Sequence, residues 1–247
     1  MNHDWTPSQF LDTRAVGRAM KSIHEYSLGE EVANSITHGI GVLLAIAAIP
    51  LCVVQALNSN EPLHLLAALI YSIFMLLEYV MSTLYHALSA DRAKRVFKVL
   101  DHSFIYLFIA ATYTPYCLIT LVDSVGVGLC VFVWAVALVG VAVEAFWVFR
   151  PRWVSAILYL CLGWAVVVFI PQLYALLDPA AFWLLLAGGL CYSIGCIFYV
   201  LKKIPYMHSI FHLWILAGSI CQFLSIVLFV LWHFICQSNG LLTNPIF

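Results

Sequence analysis

The stretch Ser82-Thr-Leu-Tyr-His86-Ala-Leu-Ser-Ala-Asp-Arg92-Ala-Lys94-Arg95-Val-Phe-Lys98-Val-Leu-Asp101-His102 decides how the chain is read. It reads as a strongly basic loop set between two long apolar runs, each of the roughly 20 residues that span a bilayer. One histidine closes the first run and an Asp-His pair opens the second. Topology and candidate chemistry are therefore written in the same place.

Composition extends that reading to the whole chain. With 64% hydrophobic and 9% charged residues over 247 positions, and a mean hydropathy of +1.00, a polytopic membrane protein is expected rather than a soluble domain. Apolar runs lie at 35–57, 63–88, 97–121, 126–149, 153–177, 179–201 and 206–236. They predict an all-α, seven-transmembrane bundle over 34–236, with an N-terminal tail over 1–33 and a C-terminal tail over 237–247.

The 11 Lys and Arg residues set the orientation. Arg14, Arg18 and Lys21 lie in the N-terminal tail, Arg92, Lys94, Arg95 and Lys98 after span two, Arg150 and Arg152 after span four, and Lys202 and Lys203 after span six. None remains for the other ends. The positive-inside rule then predicts a cytoplasmic N-terminus and an external C-terminus, in agreement with an odd span count.

That topology brings three sequence-distant motifs to one depth. Span two ends at His86, span three starts near Asp101, and span seven starts near His208-Ser-Ile-Phe-His212. His208 and His212 stand at i and i+4, on one helix face. Several polar side chains in a membrane are costly unless they pair or coordinate, so His86, His208 and His212 are read as zinc ligands. Three neutral histidines leave a fourth tetrahedral position open, the arrangement of catalytic zinc. Asp101 is expected to orient a bound water, take its proton or ligate, and Ser82 to hydrogen-bond Asp101 or polarise a substrate carbonyl. His102, rotated about 100° from Asp101 on an ideal helix, is not expected to face the same ion.

Taken together, Glu31-Val-Ala-Asn34-Ser-Ile-Thr-His38-Gly39, Ser82-Thr-Leu-Tyr-His86, Asp101-His102 followed by Ala111-Thr-Tyr-Thr-Pro115, and Pro205-Tyr-Met-His208-Ser-Ile-Phe-His212 are specific. They resemble the hemolysin III branch of the progestin and adiponectin receptor proteins, a wider group that includes the alkaline ceramidases, over about Leu28 to Phe234. The resemblance implies seven helices with the N-terminus inside, zinc on His86, His208 and His212, Asp101 near the zinc-bound water, and Ser82 close by. It also gives Glu31, Asn34 and His38 a supporting or loop-anchoring role. Glu78 departs from the apolar residue expected in that family and is expected either to approach the site from deeper in the membrane or to serve in a structural pair.

The favoured function is thus a zinc-dependent intramembrane hydrolase of a lipid amide or ester. The alternative is a non-enzymatic receptor, transporter or pore containing zinc. A membrane lipid is the expected substrate or ligand, and nothing points to nucleic acid. The segment lacks the glutamate of HExxH, which disfavours that protease type, and span seven holds no lysine for a retinal. The 8 cysteines show no CxxC and read as buried small residues. Glu144 is expected to snorkel or to pair with Arg150 or Arg152. Pro115 and Pro171 are expected to kink their spans. Phe10, Leu11, Val16 and Met20 interleaved with basic residues predict a short membrane-surface helix.

Overall fold

The computed structural model describes residues 25–201 and 203–231; the N-terminal surface helix predicted from Phe10 to Lys21 and the tail over 237–247 lie outside them. Seven helices are long and apolar enough to cross a membrane. They are α1 (Leu28–Asn58), α2 (Pro62–Ala87), α3 (Asp91–Pro115, continued by a π turn over Tyr116–Thr120), α4 (Gly126–Trp147), α5 (Arg152–Gly163, a 3-10 stretch over Trp164–Phe169, then Ile170–Leu176), α6 (Pro179–Val200) and α7 (Met207–Ser225, continued by a π turn over Ile226–Val230). The chain is an all-α, seven-span membrane protein.

Local chemistry moves two of the expected ends. Ser27 and Glu30 form a capping box, in which the Ser27 N–H donates to Glu30 Oε2 (3.0 Å) and the Glu30 N–H to Ser27 Oγ (3.4 Å). α1 therefore starts at Leu28 rather than at residue 35. Likewise the basic stretch is not a loop: α3 begins at Asp91 and carries Arg92, Lys94, Arg95 and Lys98 on its first turns. Lys94 and Lys98 are only 2% and 4% exposed. Each is neutralised, Lys94 by Glu31 at 2.7 Å and Lys98 by Glu25 at 2.6 Å, as a cation inside a bundle must be.

The two prolines act differently. Pro115 has no N–H to give, and the helix beyond it widens into a π turn closed by Leu121 N–H on the Tyr116 carbonyl (2.8 Å). Pro171 opens the last segment of α5, after the 3-10 stretch. Tyr113 repairs that break: its hydroxyl donates to the Gly163 carbonyl (2.7 Å) and accepts from the Val166 N–H (3.0 Å). Backbone groups freed inside a bilayer need such partners.

The most extensive packing joins α1 to α2, α2 to α3 and α6 to α7, and α1 also meets α7. α5 is held more thinly, and it walls a cavity of about 160 Å³ that runs from Asp101 and His208 along the bundle to Tyr116 and Gln222. Outward faces stay apolar, with Leu43 and Val168 both 68% exposed. That is the surface a lipid phase requires. Glu144 does not snorkel: it is fully buried, hydrogen-bonded to Arg150 and to the Tyr159 hydroxyl (3.2 Å). All 7 cysteines among the described residues are free.

Candidate metal centre

Helical periodicity aims the site residues. Glu31, Asn34 and His38 fall on one face of α1, and Glu78, Ser82 and His86 on one face of α2, each four residues after the last. α3 supplies Asp101 and His102, and α7 supplies His208, Ser209 and His212. The height of α7 is fixed at its start, where Tyr206 takes a left-handed conformation (φ 62°). Its N–H donates to Glu30 Oε1 at 3.0 Å, and a Cβ on Gly29 would stand 2.8 Å from the Tyr206 hydroxyl oxygen. The α1 cap and the α7 entry are therefore one joint.

His86, His208 and His212 meet in the interior, all buried, with one ring nitrogen from each within 4.8 Å of the others. The ring centroids are 5.2 Å apart for His86–His208 and His86–His212 and 4.6 Å for His208–His212. No other His, Cys, Asp or Glu among the described residues joins them at that spacing. Asp101 stands outside the ligand set. It lines the adjoining cavity with Ser82, Glu78 and His38, and Ser82 Oγ is buried with no hydrogen-bond partner among the described residues.

The surrounding groups present ring nitrogens to a cation. His86 Nδ1 lies 2.7 Å from Glu31 Oε2; a carboxylate only accepts, so Nδ1 carries the proton and Nε2 keeps its lone pair. That Nε2 is buried with no hydrogen-bond partner among the described residues. His212 Nδ1 lies 3.2 Å from the Asn34 carbonyl and 3.1 Å from Thr37 Oγ1, which assigns its proton to Nδ1 in the same way. An imidazole held by an accepting group on one nitrogen and free on the other is how metal-ligating histidines are oriented. Asn34 is steadied in turn by Ser209, whose hydroxyl donates to Asn34 Oδ1 at 2.6 Å. A buried His86 Nε2 and a buried His208 Nδ1, both without partners among the described residues, are costly unless something occupies the space between the rings. The donor set fits a divalent metal of zinc type.

His38 stacks on His212 at 3.5 Å with an 18° interplanar angle, and is not in the ligand set. Glu78 is buried, and its Oε2 has no hydrogen-bond partner among the described residues. It shares the cavity with Asp101 rather than pairing with a cation.

Four contributors were not read from the sequence. Lys94 ion-pairs the same Glu31 that holds His86. Thr37 and Ser209 hydrogen-bond within the site; each lies beside a motif residue, and that adjacency was their only signal. Tyr26 covers the triad, its ring stacked on His208 at 4.9 Å and hydrogen-bonded by Arg152. Burial pushes its phenol well above the ordinary range despite the Arg152 guanidinium beside it, so it is a neutral cover.

The pattern of the family described as "Haemolysin-III related" matches residues 26–223, which contain every residue of this centre. The "Hemolysin-3 homolog" of Bacillus subtilis (strain 168) is 41% identical over 204 residues, 83% of this chain and 96% of that one. The "Hemolysin-3" of Bacillus cereus is 41% identical over 202 residues, 82% of this chain and 92% of that one. The "Monocyte to macrophage differentiation factor" of Homo sapiens is 23% identical over 215 residues, 85% and 86% of the two chains. With seven spanning helices and bacterial relatives over most of its length, the chain is a multi-pass protein of the bacterial plasma membrane and belongs to the haemolysin III family, within the progestin and adiponectin receptor superfamily.

Proposed function

We propose that the protein is a zinc-dependent hydrolase of a lipid amide or ester, with His86, His208 and His212 holding the metal. One observation carries the reading: the three-histidine set opens, through His208, on a largely apolar cavity that runs along the bundle and that Asp101 and Ser82 also line. Zinc in such a site supplies Lewis acidity, polarising a carbonyl and making water a better acid. The remaining chemistry belongs to the chain. Asp101 takes a proton from the attacking water and returns it to the leaving group, Ser82 orients that carboxyl, and Glu78 offers a polar contact to the substrate's head. The walls from Phe108 to Leu173 accept an acyl chain, and thin packing of α5 gives a lipid its way in from the side.

The reading is tested at Asp101. Asp101→Asn keeps the fold and the metal and lowers turnover by about 10²-fold or more, the scale of a general acid–base group. Ser82→Ala costs less. The substrate comes from lipidomic comparison of wild-type and deletion membranes, and hydrolysis is then followed with purified, reconstituted protein whose metal content is measured. Metal-replete wild type that cleaves no lipid of its own membrane, yet conducts ions across bilayers, overturns the hydrolase in favour of a pore.

A further inference from the structure

His102 is not one of the three clustered histidines, and its surroundings give it another task. Its Nε2 lies 4.0 Å from Asp101 Oδ2 and its Nδ1 lies 3.6 Å from Glu144 Oε2. Both His102 Nδ1 and Glu144 Oε2 are buried without a hydrogen-bond partner among the described residues. Glu144 itself is fixed from the far side by Arg150 and the Tyr159 hydroxyl, and the same hydroxyl holds the His102 carbonyl at 3.2 Å. The ring of Tyr199 closes the remaining side at 6.5 Å. His102 also lines two spaces at once: the apolar cavity with Asp101, and a polar vestibule with Lys98, Arg150 and His208 at the basic end of the bundle.

We propose that His102 is a proton relay, carrying a proton between Asp101 in the apolar cavity and water in the polar vestibule, with Glu144 holding the imidazolium. The proposal rests on the hydrolase reading. Hydrolysis of an ester adds hydroxide to the acyl carbon and breaks the carbon–oxygen bond; one proton of the water goes through Asp101 to the alcohol. The second proton is left on the product acid. For that acid to leave as a carboxylate, the proton passes to Asp101, then to His102 Nε2, and leaves again from Nε2 toward the vestibule as the ring turns, while Nδ1–H stays directed at Glu144 Oε2. An aliphatic amide needs no such export, because the released amine keeps the proton. The distances exceed direct hydrogen bonds, so each hand-over uses a bridging water or a small ring movement.

The test is His102→Gln and His102→Ala in purified, zinc-loaded protein, with p-nitrophenyl palmitate in mixed micelles as the probe. At low buffer concentration turnover falls about 10²-fold or more, the range of proton-transfer groups, while zinc content is unchanged. Free imidazole restores turnover saturably in His102→Ala. Independently of turnover, diethyl pyrocarbonate labels His102 of the zinc-loaded wild type, mapped by mass spectrometry, because the His102 side chain keeps 12% of its surface exposed. Unchanged turnover, a loss that imidazole does not rescue, or an unlabelled His102 overturns the relay alone. Wild type that cleaves neither this ester nor the lipids of its own membrane overturns the hydrolase, and the relay with it.

Discussion

At the scale of single residues, the question is what a buried imidazole is for. A neutral imidazole packed against lipid-like walls needs a partner on both nitrogens or forfeits hydration, and the triad supplies an accepting partner at His86 Nδ1 and His212 Nδ1 only. Purified protein is therefore expected to carry about one zinc per chain. His86→Ala, His208→Ala and His212→Ala each lose most of it by elemental analysis. His64→Ala does not, since His64 lies on the first turn of α2, far along that helix from His86; the companion control, His233→Ala, lies outside the described residues. Full zinc in all three ligand variants would exclude this site. Glu31 gives a finer test, because it touches His86 and lies outside the three-histidine set. Glu31→Gln removes the charge that holds His86 Nδ1–H and weakens zinc affinity about 10–100-fold, the usual cost of losing such a support, as read by competition with a chelator. Unaltered affinity would mean that His86 is positioned by packing alone.

At the scale of elements, the three histidines depend on how closely α1 and α2 approach. A Cβ on Gly41 would stand 2.4 Å from the Tyr79 ring, so the two helices meet where a side chain is missing, as membrane helices commonly do. Tyr79 passes that contact on: its ring meets the His38 edge at 5.1 Å, and its hydroxyl donates to Ser219 of α7 at 2.7 Å. Gly41→Val is expected to destabilise the fold by about 1–3 kcal/mol, as overpacking does, and to loosen metal as well, because His38 lies against His212. Thermal unfolding in detergent beside metal content checks this, and an unchanged midpoint would sink it. The same elements show what could be read beforehand. Apolar length was enough to count the spans, and HxxxH spacing was enough to pair His208 with His212. The starts of α1 and α3 were misplaced because hydropathy drops at polar residues that are nonetheless helical: the Ser27–Glu30 box and the Arg92–Lys98 turn carry their own hydrogen bonds and ion pairs. Tyr26, Lys94 and the pairing of His102 with Glu144 depend on which helices are neighbours. No single segment states that.

At the scale of the whole molecule, the charges and the chemistry share one end. Lys94, Lys98, Arg150 and Arg152 sit near the histidines and are paired with Glu31, Glu25 and Glu144. That neutralisation does not cancel the orientation argument. The positive-inside rule acts on Lys and Arg as the chain inserts, with little weight given to acids, whereas these ion pairs form only when distant helices pack. The basic end is thus expected in the cytoplasm, and the metal site with it. Cysteines placed singly at Arg95 and at Asp123, on a background with the native cysteines replaced, test this in intact cells. Both positions are exposed, Arg95 on the first turns of α3 and Asp123 in the connection to α4. A membrane-impermeant maleimide should label Asp123→Cys from outside and reach Arg95→Cys only after lysis; a reporter fused at Asn244, beyond the described residues, should read outside. Labels at Arg95 and Asp123 on the same side would break the span count between α3 and α4. The reverse pattern would keep the seven helices but turn the histidines toward the cell exterior, so that any proton relayed through His102 would leave the cell instead of entering the cytoplasm.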